Sequence, residues 1–236
     1  MSKTLEEKFS SLISDKKMIL SDNPFLVENF IDIKEYISWD ILNEAINNDF
    51  VNWDIINQKG EKIEIPFKTP YWFGGHKQQI KPFIIQCINR GNTFTISNCS
   101  ILNEKLKSFI SSIQNCFHVS ADIHIYGSKG GGTSFTPHTD IPANFMIQVE
   151  GETKWIVFKN KISNLLKMQH TSVPDELEPL IETILKPGDL LYVPSRYYHC
   201  AIPKTPRLSI SIPCLNSQDG GFNAREMQTD TNIYKI

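Results

Sequence analysis

The chain has 236 residues, of which 40% are hydrophobic and 21% are charged. These are ordinary values for a folded domain, and they argue against disorder and against a membrane span. The formal net charge of −2 gives no electrostatic signal for nucleic acid. The five cysteines are scattered without a Cys-x-x-Cys pair, and the first residues lack the apolar segment of a signal peptide. We therefore expect one cytoplasmic domain, spanning residues 1–236, with reduced thiols.

Residues 1–120 are predicted to form a buttress of helices and strands. Residues 1–60 are expected to be mainly helical, because residues 37–56 carry apolar side chains at near-helical spacing. Residues 102–116 place their apolar side chains on one face, which predicts an amphipathic helix. Short strands are predicted at residues 62–67, 83–88 and 94–96.

Residues 121–215 contain predicted strands that each have a polar face and an apolar face. His124 and Tyr126 alternate with Ile123 and Ile125. Further on, two strand-like runs flank the turn Glu150-Gly151-Glu152, which predicts a β-hairpin. These runs are residues 144–149 and 154–158.

Two further strands are predicted near the end of this region. Residues 190–194 form a short buried strand, and the loop after it is expected to deliver His199. In residues 207–212 the alternation is strict, with Arg207, Ser209 and Ser211 on the polar face. A plain sandwich would turn such polar faces to water, whereas a barrel-like jelly roll with a polar cavity turns them inward.

Two segments are expected to flank the mouth of such a cavity. Residues 162–185 are predicted to be an inserted loop with a short helix, and residues 127–133 form a glycine-rich loop. Because long or glycine-rich loops beside a site commonly move on ligand binding, we expect a lid there. The C-terminal tail, residues 216–236, lacks a periodic apolar pattern.

One residue separates His138 from Asp140, and His199 lies further along the chain. On an extended segment, side chains at positions i and i+2 leave the same face. Two histidines and one carboxylate compose the facial triad that binds one face of an octahedral Fe(II) and leaves the other face open. A His-x-Asp pair alone is a weak signal, so the strands on both sides of it carry the prediction. We predict that these three residues bind one divalent metal.

With these motifs, the stretch from about residue 92 to residue 213 resembles the JmjC/cupin-4 family of Fe(II)- and 2-oxoglutarate-dependent oxygenases. The matching segments are NTFTI, a helix, HIYGSKGGGTSFTPHTD, the ungapped run NFMIQVEGETKW, and LKPGDLLYVPSRYYHCAI. Within the family, the ribosomal-protein hydroxylases and the asparaginyl hydroxylase of hypoxia-inducible factor are similar to this chain. The resemblance implies a mostly β fold with flanking helices, in which residues 121–215 form a double-stranded β-helix, the cupin-like jelly roll.

The resemblance also implies roles for individual residues. His138, Asp140 and His199 would be the iron ligands. Tyr126 and Asn144 match positions that contact 2-oxoglutarate in relatives.

At one position the chain departs from the family. Two residues after the hairpin glycine, relatives usually have a Lys or Arg that pairs with the far carboxylate of 2-oxoglutarate, and here that residue is Thr153. Lys154 is next in the chain but should point to the opposite face of the strand. Because a buried carboxylate without a cationic partner is costly, another group must serve. Arg207 and Ser209 resemble the Arg-x-Ser pair with which other 2-oxoglutarate oxygenases hold this carboxylate.

The function that the resemblance implies is hydroxylation of a side chain in a protein or peptide substrate, with O₂ as co-substrate and release of succinate and CO₂. One alternative is the same chemistry on a small molecule, such as an amino acid or a biosynthetic intermediate. Another is a non-catalytic cupin that only binds metal, an alternative that the threonine at position 153 favours. The sequence identifies neither the substrate nor the oligomeric state.

Overall fold

The computed structural model describes residues 5–16, 23–68, 78–129, 134–162 and 173–215. The three consecutive glycines of the predicted lid loop, the middle of the predicted insertion (residues 163–172) and the C-terminal tail (residues 216–236) lie outside the described residues. The proposed movement of the two loops is therefore still a prediction.

The described residues form four α-helices, one short 3-10 helix and fourteen strands. The helices are α1 (Leu5–Lys16), α2 (Ile41–Ile46), α3 (Lys81–Asn89) and α4 (Glu104–Phe117), and the 3-10 helix is Cys99–Ile101. The first seven strands are β1 (Phe25–Val27), β2 (Asn52–Ile56), β3 (Lys62–Ile63), β4 (Phe67–Lys68), β5 (Gln78–Gln79), β6 (Thr93–Ser97) and β7 (Ser120–Ala121). The others are β8 (His124–Ser128), β9 (Ala143–Glu150), β10 (Thr153–Lys161), β11 (Pro179–Leu185), β12 (Leu190–Val193), β13 (Tyr197–Pro203) and β14 (Arg207–Leu215).

Two sheets of unequal size build the core. The major sheet has nine strands in the order β1-β12-β9-β14-β8-β6-β2-β3, with β7 paired to β14. The minor sheet has three strands in the order β11-β10-β13, and β4 pairs separately with β5. Strands from residues 1–120 therefore extend the same major sheet that carries β8, β9 and β14.

The apolar clusters show how these layers stack. One cluster joins the helices to the outer face of the major sheet, through residues such as Phe9 on α1, Phe109 on α4 and Phe145 on β9. A second cluster contains Met146 on β9 and Trp155 on β10, so it fills the space between the two sheets. The strands are apolar on both faces at these positions, and burial of that apolar surface stabilises the stack. The predicted jelly roll with flanking helices is confirmed.

The turn at Gly151 takes the chain from one sheet to the other. The sequence predicted a hairpin here, but β9 and β10 lie in different sheets and do not pair with each other. Gly151 has a φ of +69°, and a Cβ at this position would overlap the carbonyl oxygen of Pro206. Glycine is thus required for two reasons: the backbone is left-handed, and the turn that contains Thr205 and Pro206 packs closely against it. This packing brings Thr153 and Arg207 to the same end of the sandwich.

We expect Gly151→Ala to destabilise the fold by several kcal/mol, because steric overlap with backbone adds to about 1–2 kcal/mol of left-handed strain. Gly188→Ala is the matched control, since Gly188 also has a positive φ (+93°) but a Cβ there would lie 3.3 Å from its nearest neighbour. Urea unfolding of both variants measures the difference. Equal free energies of unfolding for the two variants would contradict the overlap at Gly151.

Three predicted elements were wrong, each for a physical reason. Residues 83–88 belong to helix α3, whose buried residues Ile84, Cys87 and Ile88 have helical spacing after a proline in the first turn. Residues 37–56 do not form one helix, because α2 ends at Ile46 and β2 follows it with a period of two. His199 lies within strand β13 and not in a loop.

The predicted insertion at residues 162–185 is also different from the expectation. Its described C-terminal part is strand β11, which pairs along β10 at the edge of the minor sheet. An edge strand tolerates a proline as its first residue, here Pro179. In the described part of the chain, no helix is long and apolar enough to cross a membrane.

Candidate metal centre

Three side chains converge at one end of the space between the two sheets. His138, Asp140 and His199 each offer one ligand atom, and these atoms all lie within 4.8 Å of one another. Asp140 lies beside both imidazoles, with its carboxylate oxygens 4.0 Å from Nε2 of His138 and 3.6 Å from Nε2 of His199. The structure therefore brings together the three residues that the sequence predicted as a metal site.

Backbone pairing sets the positions of these ligands. His138 and His199 form an isolated antiparallel bridge, in which the amide of each donates to the carbonyl of the other. The loop before β13 holds the segment after His138, because the amide of Arg196 donates to the carbonyl of Asp140 at 2.8 Å. Arg196 has a φ of +71°, a strained conformation for a residue with a side chain. This loop and the His-x-Asp segment thus fix each other.

Both imidazoles are held in one tautomer. The Nδ1 of His138 lies 2.8 Å from the carbonyl oxygen of Thr136, and the Nδ1 of His199 lies 2.9 Å from that of Tyr197. A carbonyl oxygen only accepts, so each Nδ1 carries the proton and donates it. The Nε2 atoms face Asp140, so each is the nitrogen that would offer its lone pair to a metal in place of a proton. Such backbone contacts orient histidine ligands in metalloproteins.

The electrostatics of the site favour an ionised aspartate. Burial alone would raise the pKa of Asp140, but hydrogen bonding and charge from His199, together with His138 and the Asn144 amide, hold that pKa at about 2. Burial and the neighbouring His199 lower the pKa of His138. Burial also lowers the pKa of His199, but the contact with Asp140 outweighs it, so the net shift is upward. A carboxylate flanked by two imidazoles is an anionic ligand set suited to a divalent cation.

The three side chains line a small cavity between the two sheets. Its walls consist of Tyr126, Ser134, Phe135, His138, Asp140, Met146, Trp155, His199, Ala201, Arg207 and Ser211. The side chains of His138 and Asp140 are 37% and 39% exposed, whereas that of His199 is 5% exposed. The cavity therefore opens on the side of the His-x-Asp pair, and its other end is closed.

Arg207 is a buried cation in this cavity. It is 1% exposed, and it donates to Oγ of Ser209 at 2.8 Å and to Oγ of Ser134 at 3.2 Å. Its Nε has no hydrogen-bond partner, and within the described part of the chain it forms no ion pair. Burial lowers the pKa of Arg207 from 12.5 to about 10, against a small upward effect of Tyr126. A desolvated cation held only by neutral hydroxyls is costly unless an anion joins it.

Thr153 and Lys154, the two neighbouring residues considered for the far carboxylate of 2-oxoglutarate, point to opposite faces of the minor sheet. Thr153 is fully buried, and its hydroxyl has no hydrogen-bond partner among the residues that the structure describes. Lys154 points to the outer face of the minor sheet, where it forms an ion pair with Glu182 across the strand pair. The prediction that Lys154 faces away from the cavity is confirmed by this geometry.

The other two predicted contact residues lie near the ligands. Tyr126 is partly buried, desolvation raises the pKa of its phenol, and it packs edge-on against Phe135. Asn144 does not present a free amide to the cavity, because its Nδ2 donates to Oδ2 of Asp140 at 2.9 Å. Its Oδ1 accepts a hydrogen bond from Ser211.

Sequence reasoning gave no role to three residues of the site. Ser134 contacts Arg207, Ser211 contacts Asn144, and the Trp155 ring lies nearly parallel to that of His199 with centroids 6.1 Å apart. Ser211 shares the polar face of Arg207 in the alternation, so a signal was present. Ser134 and Trp155 come from other parts of the chain, and their contacts depend on long-range packing.

The sequence profile of the JmjC domain matches residues 98–219, which is slightly more than half of the chain. The chain belongs to the JmjC domain family. The resemblance predicted from the motifs is thereby confirmed, and the three clustered ligand residues lie inside the matched JmjC segment.

Curated relatives match the same part of the chain. The bifunctional lysine-specific demethylase and histidyl-hydroxylase NO66 of Drosophila willistoni is 32% identical over 126 residues, which are 52% of this JmjC chain and 16% of that protein. The human ribosomal oxygenase 1 is 32% identical over 97 residues, which are 39% of this chain and 15% of that protein. The chain thus spans about one sixth of the length of these relatives.

Among solved structures, the ribosomal oxygenase YcfD of Escherichia coli in complex with cobalt and 2-oxoglutarate is similar with a TM-score of 0.63 and 20% identity. The match covers 92% of this JmjC chain and 54% of that one. YcfD in complex with cobalt and succinic acid gives a TM-score of 0.58 at 21% identity, covering 91% and 55% of the two chains. At this level of identity, the similarity establishes the fold.

Proposed function

We propose that the chain is an Fe(II)- and 2-oxoglutarate-dependent dioxygenase that hydroxylates a side chain of a protein or peptide. One observation carries the proposal: a two-histidine, one-carboxylate cluster and a buried guanidinium without an ion-pair partner among the described residues lie in the walls of the same cavity. The first suits a divalent metal, and the second suits a carboxylate. 2-Oxoglutarate needs both, because it chelates metal at one end and carries a carboxylate at the other.

The residues present fit a metal ion. His138 and His199 direct their Nε2 atoms toward Asp140, and the three ligand atoms are close enough to share one ion. Three protein ligands with imidazole and carboxylate donors are typical of non-haem Fe(II) sites that keep positions open. The two more exposed ligands lie on the open side of the cavity, where oxygen and substrate would enter.

The residues also fit 2-oxoglutarate. Arg207 lines the cavity and offers N–H donors, and Ser209, which contacts its guanidinium, offers a hydroxyl. The buried hydroxyl of Thr153, without a partner among the described residues, is a further candidate donor. Tyr126 lies beside Arg207 in the cavity wall. A cation, two hydroxyls and a phenol are the donors that a desolvated carboxylate requires.

When bound, iron and 2-oxoglutarate supply the oxidising chemistry that transfers one atom of O₂ to a substrate C–H bond, with release of succinate and CO₂. The chain's own residues would bind and orient the metal and the cosubstrate, and they would exclude water from the cavity. Met146, Trp155 and Ala201 contribute apolar surface to the cavity wall, which favours the exclusion of water. We assign no side chain as a general acid or base.

The relatives support a protein substrate. NO66 is named a histidyl-hydroxylase, and both human ribosomal oxygenase 1 and YcfD are named ribosomal oxygenases. We propose that residues 121–215 are the catalytic jelly roll and that residues 1–120 buttress it within one domain. We also propose a cytoplasmic location, which the five free cysteines support.

The test combines two measurements on the iron-loaded protein. Succinate formed from 2-oxoglutarate under air is measured by NMR, with and without a mixture of synthetic peptides, and the peptides are then examined by mass spectrometry. We expect succinate formation that N-oxalylglycine blocks, and a peptide that gains the mass of one oxygen atom.

Each alternative has its own outcome. Absence of succinate in every reaction would favour a metal-binding cupin without this activity. Succinate formation with oxidation of a free amino acid, and of no peptide, would favour the small-molecule hydroxylase.

A further inference from the structure

We propose that Asn144, held by Ser211, positions the carboxylate of Asp140 for the metal and is not a contact of 2-oxoglutarate. The inference rests on the proposed function, and it assigns Asn144 a role different from the one that the resemblance implies. It assigns Ser211 as a second positioning residue, on the neighbouring strand of the major sheet.

Both N–H groups of the Asn144 side-chain amide are already used in hydrogen bonds within the protein. Its Nδ2 donates to Oδ2 of Asp140 at 2.9 Å and to the carbonyl oxygen of Pro142 at 3.3 Å. An amide nitrogen has two hydrogens, so no donor is left for a ligand. Its Oδ1 accepts from Oγ of Ser211 at 2.9 Å. A carboxylate of 2-oxoglutarate, which only accepts, would find no N–H of Asn144 available.

The chemistry of the three partners fixes the direction of this chain of hydrogen bonds. Ionised Asp140 can only accept, so the nitrogen of the Asn144 amide must face it. The amide oxygen then faces Ser211, whose hydroxyl must donate. Asn144 and Ser211 are both 3% exposed, so water does not compete for these contacts. Ser211 therefore prevents the amide from flipping, and the amide prevents the carboxylate from rotating.

A fixed carboxylate matters because Asp140 is the only anionic ligand of the cluster. It is also 39% exposed, so it would otherwise be free to turn toward water. Groups that hold a metal ligand by hydrogen bonding typically contribute about 10–100-fold to metal affinity. Hydrogen bonds to charged groups are also stronger than those between neutral groups.

The experiment is a titration with Co(II) in the absence of 2-oxoglutarate, followed by the visible absorption of the bound ion. We expect Asn144→Ala to raise the Kd for Co(II) by about 10–100-fold. Ser211→Ala keeps the amide but frees it to flip, so a smaller rise of about 3–10-fold is expected, and Ser211→Thr restores the affinity because it keeps the hydroxyl. The Kd for 2-oxoglutarate at saturating Co(II) should change little in these variants.

Ser209→Ala is the matched control. Ser209 lies two residues from Ser211 on the same face of β14, but its hydroxyl contacts Arg207 and not Asn144. This variant should leave the Kd for Co(II) unchanged and weaken 2-oxoglutarate binding, which is the opposite of the effect of Ser211→Ala. Circular dichroism checks that each variant is folded. If Asn144→Ala does not fold, Ser211→Ala alone tests the inference.

Two outcomes would overturn the inference. In one, Asn144→Ala and Ser211→Ala retain the wild-type Kd for Co(II). In the other, they chiefly raise the Kd for 2-oxoglutarate, which would make Asn144 a cosubstrate contact. Failure of the proposed function is distinguishable, because the wild-type protein would then bind Co(II) without forming succinate when iron-loaded. A wild-type protein that binds no Co(II) would overturn both.

Discussion

Asp140→Ala is expected to abolish metal retention and, with it, turnover of 2-oxoglutarate. The substitution removes the only anionic ligand and leaves two imidazoles whose Nε2 atoms then face an empty space. Loss of a ligand should exceed the roughly 10–100-fold effect of losing an outer contact. Metal content of the purified variant and a Co(II) titration measure the effect.

We expect manganese, cobalt or nickel in the purified wild-type protein as well as iron, because affinity does not favour Fe(II) over the later metals.

His124→Gln is the control for this experiment. His124 is the other partly buried histidine near the site, and Asp140 is close enough to affect its pKa, although burial lowers that pKa overall. It is not part of the ligand cluster, so its replacement should leave metal content at the wild-type level. If Asp140→Ala kept the wild-type metal content while His124→Gln lost it, the assignment of the three ligands would be wrong.

Local sequence patterns predicted much of the site. The His-x-Asp spacing placed two ligands on one face, and the alternation in β14 placed Arg207, Ser209 and Ser211 on another. Both statements depend only on the period of a strand. The position of Ser134 beside Arg207 is a contact between residues 73 positions apart in the chain. No local pattern encodes that contact.

The difference between local patterns and long-range packing also explains the errors in the predicted fold. Residues 83–88 are apolar enough for either a strand or a buried helix, and periodicity alone does not separate these in a short run. The turn at Gly151 reads locally as a hairpin. It connects two sheets because β9 pairs with β12 and β14, and β10 with β11 and β13. Such pairings join distant residues, so they follow from packing and not from the turn itself.

Position 153 is where the sequence departs from its relatives, and the surroundings of Arg207 give a physical basis for the departure. The guanidinium is buried, carries two hydroxyl contacts and lacks an ion-pair partner among the described residues. Thr153 offers one hydroxyl from the minor sheet, which cannot neutralise a carboxylate. The cationic partner of 2-oxoglutarate would thus come from β14 in this chain and not from β10.

We expect Arg207→Ala to raise the Kd for 2-oxoglutarate more than a hundredfold while metal binding stays nearly intact. Removing one partner of a buried ion pair costs about 3–5 kcal/mol, and each factor of ten in affinity corresponds to about 1.4 kcal/mol. Thr153→Ala should have a much smaller effect, because only one hydrogen bond is lost. Lys154→Ala should have none, since Lys154 pairs with Glu182 on the outer face. Calorimetric titration of 2-oxoglutarate into Co(II)-loaded protein measures all three.

Thermal unfolding gives a second test of whether Arg207 binds the far carboxylate of 2-oxoglutarate. A ligand that binds the folded state raises the Tm, so 2-oxoglutarate should raise the Tm of the Co(II)-loaded wild-type protein and not that of Arg207→Ala. The double variant Thr153→Lys, Arg207→Ala returns the cation to the position that relatives use, at the same closed end of the sandwich. We expect it to recover part of the lost affinity. A larger effect of Thr153→Ala or Lys154→Ala than of Arg207→Ala would show that Arg207 does not hold the far carboxylate.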